Sequence, residues 1–229
     1  MLTLEDVHTH YGRSHVLKGL SIQVGKGDFV ALLGRNSVGK STVLKTVLGL
    51  TPATSGCIRF QDHELTRMPP HRIPCLGIGY VPQHNNVFGA LSVLDNLKIG
   101  MVKTGRRDID LSPIFELFPK LESRLQQSAG SLSGGERQMV AIGRALVGDP
   151  ELMLFDEPTA ALSPALAHEV GEIIQRIADR GVGVLLVEQN VRIALDHCQR
   201  FYILERGTTR YEGAIGSIDD ATLFRYLGL

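Results

Sequence analysis

A glycine-rich stretch between an apolar run and an amphipathic run constrains this chain more than any other feature. Residues 34–41 read GRNSVGKS and match the pattern G-x-x-x-x-G-K-[ST]. The preceding run Phe29–Leu33 is continuously apolar, and the residues that follow repeat apolar side chains at helical spacing up to Gly49. A strand, a glycine-rich loop and a helix in this order make a phosphate-binding loop (P-loop), whose backbone N–H groups face the anion. The sequence therefore predicts an α/β core around a phosphate site.

Further apolar runs complete the predicted core. Short continuous runs, typical of strands buried in a parallel sheet, lie at residues 78–81, 152–155 and 182–187. We expect helices between these strands, one of them beginning at Ser163 and Pro164 and ending before Gly181. For the tail we predict strands at residues 201–204 and 209–212 and a short final helix.

The remaining segments predict two additions to this core. Residues 2–7 and 16–24 alternate in short apolar and polar runs, which indicates antiparallel strands. Residues 85–149 are rich in helix formers and lack buried-strand runs. We therefore predict an α/β fold: a P-loop NTPase core with a mainly parallel sheet, an N-terminal antiparallel β-subdomain and an inserted helical subdomain. The chain would be a single domain, 1–229, with its core in 1–84 and 150–229 and the helical subdomain in 85–149.

Charge and cysteine content narrow the classes of partner. The 24 Lys and Arg balance the 24 Asp and Glu, so no broad basic field favours nucleic acid or an anionic membrane. The three cysteines, Cys57, Cys75 and Cys198, are odd in number and lack metal-type pair spacing, which favours reduced thiols. No apolar run reaches the ~18 residues of a membrane span, and the N-terminus lacks the pattern of a signal peptide. We expect a cytosolic chain that reaches the membrane through a partner.

His8 and His10 alternate along one predicted strand and raise the question of a metal site. No third ligand is visible near them in the sequence, and an isolated pair of histidines rarely suffices. We favour an ordinary surface strand.

The P-loop and a later pair of carboxylates indicate phosphoryl chemistry. Lys40 would reach the β and γ phosphates, the Ser41 hydroxyl would ligand Mg²⁺, and Thr42 would be a further hydrogen-bond donor. Asp156 and Glu157 end an apolar strand, where they need water or metal to offset desolvation. Such a pair alone is more often a solvated strand end. After a P-loop, Asp156 suits the Mg²⁺ shell and Glu157 suits polarising the attacking water.

A second helix opening of the same kind follows in the helical region. Residues 132–138 read LSGGERQ, and Ser133, Gly134 and Gly135 begin a run with helical apolar spacing. This arrangement creates another anion-binding helix N-terminus. One nucleotide does not need two such sites in one subunit, so the second site suggests the ATP of a partner.

Together these residues resemble the ABC ATPase family over essentially the whole chain. The family's motifs occur in its order and intervals: Walker A at 34–42, the Q-loop at Gln83, the signature at 132–138 and Walker B at 152–157. The resemblance implies that two such subunits pair head to tail and trap each ATP between Walker A of one and the signature of the other. The ligands are then ATP and Mg²⁺.

The resemblance assigns a role to each matching residue. The nucleotide-binding residues would be Tyr11, Gly34, Arg35, Asn36, Ser37, Val38, Gly39, Lys40, Ser41, Thr42, Ser133, Gly134 and Gly135. Tyr11 would stack on adenine, for which a π face suffices; its alternative is a turn tyrosine packed on the core. The Mg²⁺ ligands would be Ser41, Gln83 and Asp156, and the catalytic residues Glu157, Gln83 and Gln189.

The chain departs from the family pattern at three positions. Ser37 replaces a usual glycine, and if its backbone angle is unusual, the serine costs about 1 kcal/mol or more. Gln189 replaces a histidine that often contacts the γ-phosphate, which leaves Glu157 as the base or water-orienting group. Ser163 replaces the aspartate that often closes the D-loop, so communication across the interface would rest on backbone contacts.

Two short runs indicate a subfamily. Residues 187–190 (VEQN) and 115–119 (FELFP) resemble one of the two ATPases of branched-chain amino acid importers, with urea and short-amide importers as a sister group. The resemblance implies a second ATPase subunit, identical or not, two membrane permease subunits and, indirectly, a solute-binding protein. The location would be the cytoplasmic face of the inner membrane. Residues 87–96 would dock the permease or belong to the subdomain core.

Two other classes compete with this interpretation. A soluble ABC ATPase of DNA repair or translation usually carries long coiled-coil insertions or two cassettes per chain, which this sequence lacks. A P-loop kinase would phosphorylate a small acceptor, but it would leave the LSGGE element without a purpose.

Overall fold

The sheet that carries the P-loop is mainly parallel, as predicted. We describe a computed structural model for residues 1–84, 86–101, 110–217 and 226–227. In these residues one six-stranded sheet has the order β10-β9-β3-β8-β7-β6. Its strands are β3 (Phe29–Leu33), β6 (Ile78–Val81), β7 (Leu152–Asp156), β8 (Gly183–Glu188), β9 (Arg200–Glu205) and β10 (Thr208–Ala214). All neighbours pair in parallel except β9 and β10, which form an antiparallel hairpin.

A second, antiparallel sheet covers one face of the first. It has the order β2-β1-β4-β5 and comprises β1 (Leu2–Tyr11), β2 (Ser14–Val24), β4 (Ala53–Phe60) and β5 (His63–Glu64). The predicted N-terminal antiparallel strands are confirmed, although β1 extends to Tyr11 and the turn falls at Gly12 and Arg13. The sequence analysis missed β4 and β5, because β4 has no continuous apolar run and four of its eight residues, Thr54, Ser55, Gly56 and Arg59, are exposed.

Helices flank the parallel sheet. They are α1 (Lys40–Val47), α2 (Val93–Met101), α3 (Ser112–Leu117), α4 (Pro119–Glu122), α5 (Gly134–Leu146), α6 (Pro164–Asp179) and α7 (Val191–His197). The predicted helix after Pro164 is α6, whose cap Ser163 accepts a hydrogen bond from the Leu166 N–H. The final helix predicted for the tail falls largely on 218–225 and 228–229, outside the described residues.

Two apolar layers hold the parallel sheet between its neighbours. Alternation along β3 places Phe29 and Leu33 in the layer shared with α5 and α6, and Val30 and Leu32 in the layer shared with α1 and the antiparallel sheet. All of these side chains are fully buried. The core thus fixes the sheet from both faces and leaves the ends of its strands for polar residues.

Candidate functional site

The carboxyl ends of β3, β7 and β8 bring several predicted site residues to one edge of the parallel sheet. In the sheet register, Leu33 lies beside Glu188 and Asp156 lies beside Val187. The P-loop follows β3, and Gln189 follows β8. Ligands of open α/β sheets bind outside the carboxyl ends of the strands, so this edge is the candidate site.

The P-loop wraps around the ammonium group of Lys40. A Cβ at Gly34 would lie 2.6 Å from the carbonyl oxygen of Leu204, so the loop passes where only glycine fits. Gly39 has φ 111° and directly precedes α1. The Nζ of Lys40 donates to the carbonyl oxygens of Gly34 at 2.9 Å and Arg35 at 3.1 Å. The loop carbonyls therefore hold the ammonium group of Lys40, which the sequence predicts to bind phosphate.

Ser37 lies in the left-handed region, with φ 62°. The sequence analysis predicted a strain penalty if this position required an unusual backbone angle, and the structure meets that condition. The Cβ of a serine is disfavoured there, whereas glycine adopts the same angle freely, a difference of about 1 kcal/mol or more.

Glu157 receives polar contacts from three separate segments. Lys40 Nζ lies 3.2 Å from its Oε1. The side-chain amides of Gln83 and Gln189 donate to its Oε2 at 2.9 Å and 3.1 Å. Only 4% of the Lys40 side chain and 8% of the Glu157 side chain are exposed, so solvent screens their attraction little. The structure thus brings Gln83, Glu157 and Gln189 together around one carboxylate.

The backbone at Glu157 is strained. Its φ is 46°, and its N–H donates to the carbonyl oxygen of Val187 on β8 at 2.9 Å. Ala161, further along the same loop, has φ 62°. Each left-handed non-glycine residue costs about 1–2 kcal/mol, which the surrounding contacts must offset. Strain of this kind is concentrated at functional sites.

Asp156 shares its two carboxylate oxygens between two hydroxyl donors. Ser41 Oγ donates to Oδ1 at 2.8 Å, and the Tyr80 hydroxyl donates to Oδ2 at 3.4 Å. Burial raises the pKa of Asp156; the hydrogen bond from Ser41 opposes this effect and the charge of Glu157 reinforces it. Burial also raises the pKa of Tyr80, so this phenol stays protonated and remains a donor. The sequence analysis missed Tyr80, because its partner lies on the next strand of the sheet.

The oxygen atoms around Asp156 suit Mg²⁺. The hydroxyl of Ser41 and the carboxylate of Asp156 are hard oxygen donors, and proteins commonly bind Mg²⁺ through one or two carboxylates plus phosphates and water. Among the described residues, no group of three or more His, Cys, Asp or Glu side chains is arranged to hold a metal. Ser41 and Asp156 supply one hydroxyl and one carboxylate of the kind that Mg²⁺ prefers.

The signature segment forms a capping box at the start of α5. Ser133 is the N-cap, and its Oγ accepts the N–H of Glu136 at 3.3 Å. In return, the Glu136 carboxylate accepts the N–H and hydroxyl of Ser133 at 2.9 Å and 2.8 Å, and these bonds lower the pKa of Glu136. Arg124 pairs with Glu136 at 3.0 Å. The hydrogen bonds of Ser133 thus stay within its own helix, and Gly134 beside it is exposed.

Tyr11 lies at the end of β1, on the antiparallel sheet rather than at the carboxylates. Its side chain is 47% exposed, and its hydroxyl lies 3.0 Å from Thr51 Oγ1. One hydrogen bond therefore anchors the hydroxyl while about half of the side chain stays exposed, and stacking on a base requires such an exposed ring.

The segment before α2 presents apolar side chains on a fixed backbone. Phe88 and Leu91 are 51% and 38% exposed. The fully buried Asn96 accepts the N–H of Phe88 and donates to its carbonyl oxygen, at 2.8 Å and 3.0 Å. Arg144 lies over the Phe88 ring at 5.1 Å and donates to the carbonyl oxygen of Asn86 at 2.7 Å. Segment 87–96 therefore contains both an exposed apolar surface and a buried anchor.

A third histidine stands beside His8 and His10, contrary to the expectation from the sequence. Pairing of β1 with β2 places His15 opposite His10, and their rings stack at 4.1 Å. His8 Nδ1 lies 2.9 Å from His15 Nε2. The sequence analysis missed His15 because the hairpin turn separates it from the other two. His15 therefore stacks on His10 and shares a hydrogen bond between ring nitrogens with His8.

Glu188 is a buried strand-end carboxylate that the sequence analysis did not single out. It ends β8 as Asp156 ends β7, a position that could have identified it.

The thiols of Cys57, Cys75 and Cys198 are free. Burial, followed by the charge of Glu188, raises the pKa of Cys198. None of the helices in the described part of the chain combines the length and apolar character of a bilayer-spanning segment.

Comparison with known proteins gives one consistent family. Residues 17–160 match the family model described as "ABC transporter". The chain is 43% identical over 209 residues to the high-affinity branched-chain amino acid transport ATP-binding protein BraG of Pseudomonas aeruginosa, covering 90% of each chain. It is 36% identical over 230 residues to the probable branched-chain amino acid transport ATP-binding protein LivF of Archaeoglobus fulgidus, covering 99% and 98%.

A relative that serves a different transport system is almost as similar. The lipopolysaccharide export system ATP-binding protein LptB of Acidithiobacillus ferridurans is 36% identical over 238 residues, covering 100% of this chain and 97% of its own. Among solved structures, the ADP conformation of an ATP-binding cassette of an ABC transporter superposes with a TM-score of 0.88 at 28% identity, covering 100% and 99%.

Proposed function

The chain belongs to the ABC transporter family and is an ATPase, and we propose that it energises the uptake of branched-chain amino acids as a subunit of a bacterial importer. The convergence of Lys40, Gln83 and Gln189 on Glu157 is the observation that carries the proposed site. These groups come from four segments of the chain and meet at the edge where the P-loop ends.

Each polar group at this edge has a proposed role in hydrolysis. Lys40 and the P-loop N–H groups bind the phosphates, and Ser41, Asp156 and Gln83 hold Mg²⁺. When bound, the ion offsets the negative charge of the phosphates. Glu157 orients and polarises the attacking water, with Gln189 at its second oxygen. A glutamine donates a hydrogen bond but carries no proton between groups, so the base is Glu157.

A second subunit completes the proposed site. Among the described residues, the N-terminus of α5 makes no side-chain contact with Lys40 or with the carboxylates after β7, and its Gly134 is exposed. It can therefore take up the phosphates of a nucleotide bound to a partner. We propose a head-to-tail ATPase pair, of identical or different chains, that closes on ATP and opens after hydrolysis.

The remaining assignments extend the same proposal. Residues 1–84 and 150–229 form the nucleotide-binding core and 85–149 the helical subdomain. The transporter contains two membrane permease subunits, and Phe88 and Leu91 form the surface of this chain that docks on a permease at the cytoplasmic side of the inner membrane. A solute-binding protein delivers the amino acid to the permeases. The higher identity to BraG than to LptB, 43% against 36%, supports import of branched-chain amino acids over lipopolysaccharide export.

Uptake measurements test the transported solute. Radiolabelled leucine is followed in cells with the chain, without it, and with the Glu157→Gln variant in its place. The proposal expects leucine uptake to fall in both altered strains and to return with the wild-type chain. A fall of urea uptake alone would assign the chain to the urea and short-amide group. Loss of lipopolysaccharide from the cell surface with normal leucine uptake would assign it to export.

A further inference from the structure

The carboxylate of Glu188 ties together the two loops that carry the proposed catalytic pair. Its Oε1 accepts the N–H of Thr159 at 3.2 Å and the Thr159 hydroxyl at 2.6 Å. Its Oε2 accepts the N–H groups of Gln189 at 3.0 Å and Asn190 at 3.2 Å. Each oxygen thus serves one loop: Oε1 the loop after Glu157, and Oε2 the loop after β8.

This carboxylate is held without a cation. Glu188 is 2% exposed, and none of the ion pairs among the described residues includes it. Burial raises its pKa, and the bonds from Thr159, Asn190 and Gln189 oppose that rise. A buried carboxylate without a counter-ion is retained only where its hydrogen bonds offset its desolvation. An apolar side chain here would leave four donors unpaired.

The bonds that Glu188 accepts flank the contact between Glu157 and Gln189. The Gln189 side chain donates to Glu157 Oε2 at 3.1 Å while its N–H is held by Glu188. Thr159 lies two residues after Glu157, whose strained backbone is itself bonded to β8 through Val187. The separation of the two loops is therefore fixed on one side by a backbone bond and on the other by this carboxylate.

We propose that Glu188 is a positioning residue that holds the amide of Gln189 in register with the carboxylate of Glu157. Its two carboxylate oxygens accept hydrogen bonds from Thr159, Gln189 and Asn190, and it acts through Gln189. The inference rests on the role proposed for Glu157 in ATP hydrolysis. It adds a determinant of turnover at a residue to which the resemblance assigns no role.

The isosteric variant Glu188→Gln tests this role. Its amide nitrogen must face either Thr159 or the Gln189 and Asn190 N–H groups, so one loop loses its acceptor. Because hydrogen bonds to charged groups are among the stronger ones, we expect kcat for ATP to fall about tenfold. The KM for ATP should stay unchanged, since the P-loop is intact. Glu205→Gln is the matched control. Glu205 also ends a strand of the same sheet, β9, which β3 separates from β8, and it pairs with Arg210 at 3.5 Å. Its variant should keep the wild-type rate.

A double-mutant cycle separates positioning from general structural support. In a Gln189→Ala background, Glu188→Gln should lower kcat little further, because the group it positions is already absent. Independent, multiplicative losses in the two variants, or a wild-type kcat in Glu188→Gln, would overturn the inference. Wild-type protein without ATPase activity would instead defeat the proposed function itself.

A second pair of variants tests the same role if Glu188→Gln does not fold. Thr159→Val removes the hydroxyl donor and should lower kcat at constant KM, whereas Thr159→Ser keeps the donor and should restore it. Equal rates in these two variants would count against the role of Glu188. Melting temperatures measured for all variants exclude unfolding as the cause of a lower kcat.

Discussion

Lys40 Nζ lies 3.2 Å from Glu157 Oε1, so the two groups proposed for phosphate binding and water activation form an ion pair with each other. Nucleotide binding must draw the ammonium group toward the phosphates and away from this carboxylate. In the proposed mechanism, Lys40 thus exchanges one anionic partner, Glu157, for another, the phosphates.

Removal of the Glu157 charge should abolish turnover and spare binding. We expect Glu157→Gln to lower kcat by about two orders of magnitude or more, since general-base catalysis contributes about 10²–10⁴. Affinity for ATP should be at least that of the wild type, because Lys40 loses an anionic partner that competes with the phosphates. Phosphate release and binding of a fluorescent ATP analogue measure the two quantities. If Gln189→Ala lost most of the activity and Glu157→Gln much less, the assignment of the base would be wrong.

Loss of the Lys40 ammonium should weaken nucleotide binding. We expect Lys40→Ala to lower ATP affinity at least about tenfold, because a charge-assisted contact to phosphate disappears. Titration with the fluorescent analogue measures the change. Lys26→Ala, in the exposed turn before β3, is the control and should bind as the wild type does. Equal affinity of the two variants would contradict the proposed role of Lys40.

Relief of the strain at Ser37 should improve binding. Ser37→Gly removes a Cβ from a residue with φ 62° and should tighten ATP binding up to about fivefold, the equivalent of about 1 kcal/mol. Ser37→Ala keeps the Cβ and should not. A glycine variant that binds ATP no more tightly than the wild type would show that the strain is not felt in binding.

Truncation of Tyr11 tests its stacking on adenine. Tyr11→Ala should weaken ATP binding about tenfold, because base–aromatic stacking is worth about 1–3 kcal/mol. Tyr11→Phe loses the hydrogen bond to Thr51 but keeps the π face, so its affinity should remain close to that of the wild type. If both variants lost affinity equally, the hydroxyl and not the ring face would be the binding element.

The histidine stack should make stability depend on pH. Burial, followed by the charges of His10 and His8, lowers the pKa of His15 from its ordinary value of 6.5. His15 therefore binds a proton more readily in the unfolded chain than in the folded one. Its contribution to the free energy of unfolding is present above about pH 6.5 and is lost as pH falls through the folded pKa. Asp6 lies 3.4 Å from His8, and Lys18 also acts on His15.

Thermal unfolding from about pH 7.5 to about pH 5.5 measures this effect. His15→Asn should flatten the dependence, and His63→Asn on exposed β5 should not. Part of the slope should remain in His15→Asn, because burial also lowers the pKa of His197. If the melting temperature of His15→Asn depended on pH as steeply as that of the wild type, the histidine stack would not be the cause of the pH dependence.

The sequence predicted the buried strands of this fold well and its polar contacts poorly, for physical reasons. Continuous apolar runs located β3 and β6 to the residue, because a strand buried on both faces tolerates no polar side chain. The observed β7 and β8 each end one residue beyond the prediction, at Asp156 and Glu188. A carboxylate at a strand end is polar, so an apolar pattern stops short of it.

The apolar pattern of the sequence could not predict contacts between segments that are distant in sequence. Tyr80 reaches Asp156 across 76 positions, and Glu188 reaches Thr159 across 29. Only the order of strands in the sheet makes them neighbours. The unusual angle at Ser37, in contrast, could be anticipated, because the residue expected there was glycine.

Helix α5 joins two ends of the molecule that have different partners in the proposed transporter. Its 13 residues make a rod roughly 20 Å long. Ser133 caps one end with a closed pair of hydrogen bonds, and Arg144 near the other end grips the backbone of Asn86 and the ring of Phe88. A regular helix of this length behaves as a rod, so in the proposed transporter a displacement of Phe88 would be carried along α5. In that transporter, movement at the membrane side and movement of the helix N-terminus toward a neighbour's nucleotide would therefore be coupled.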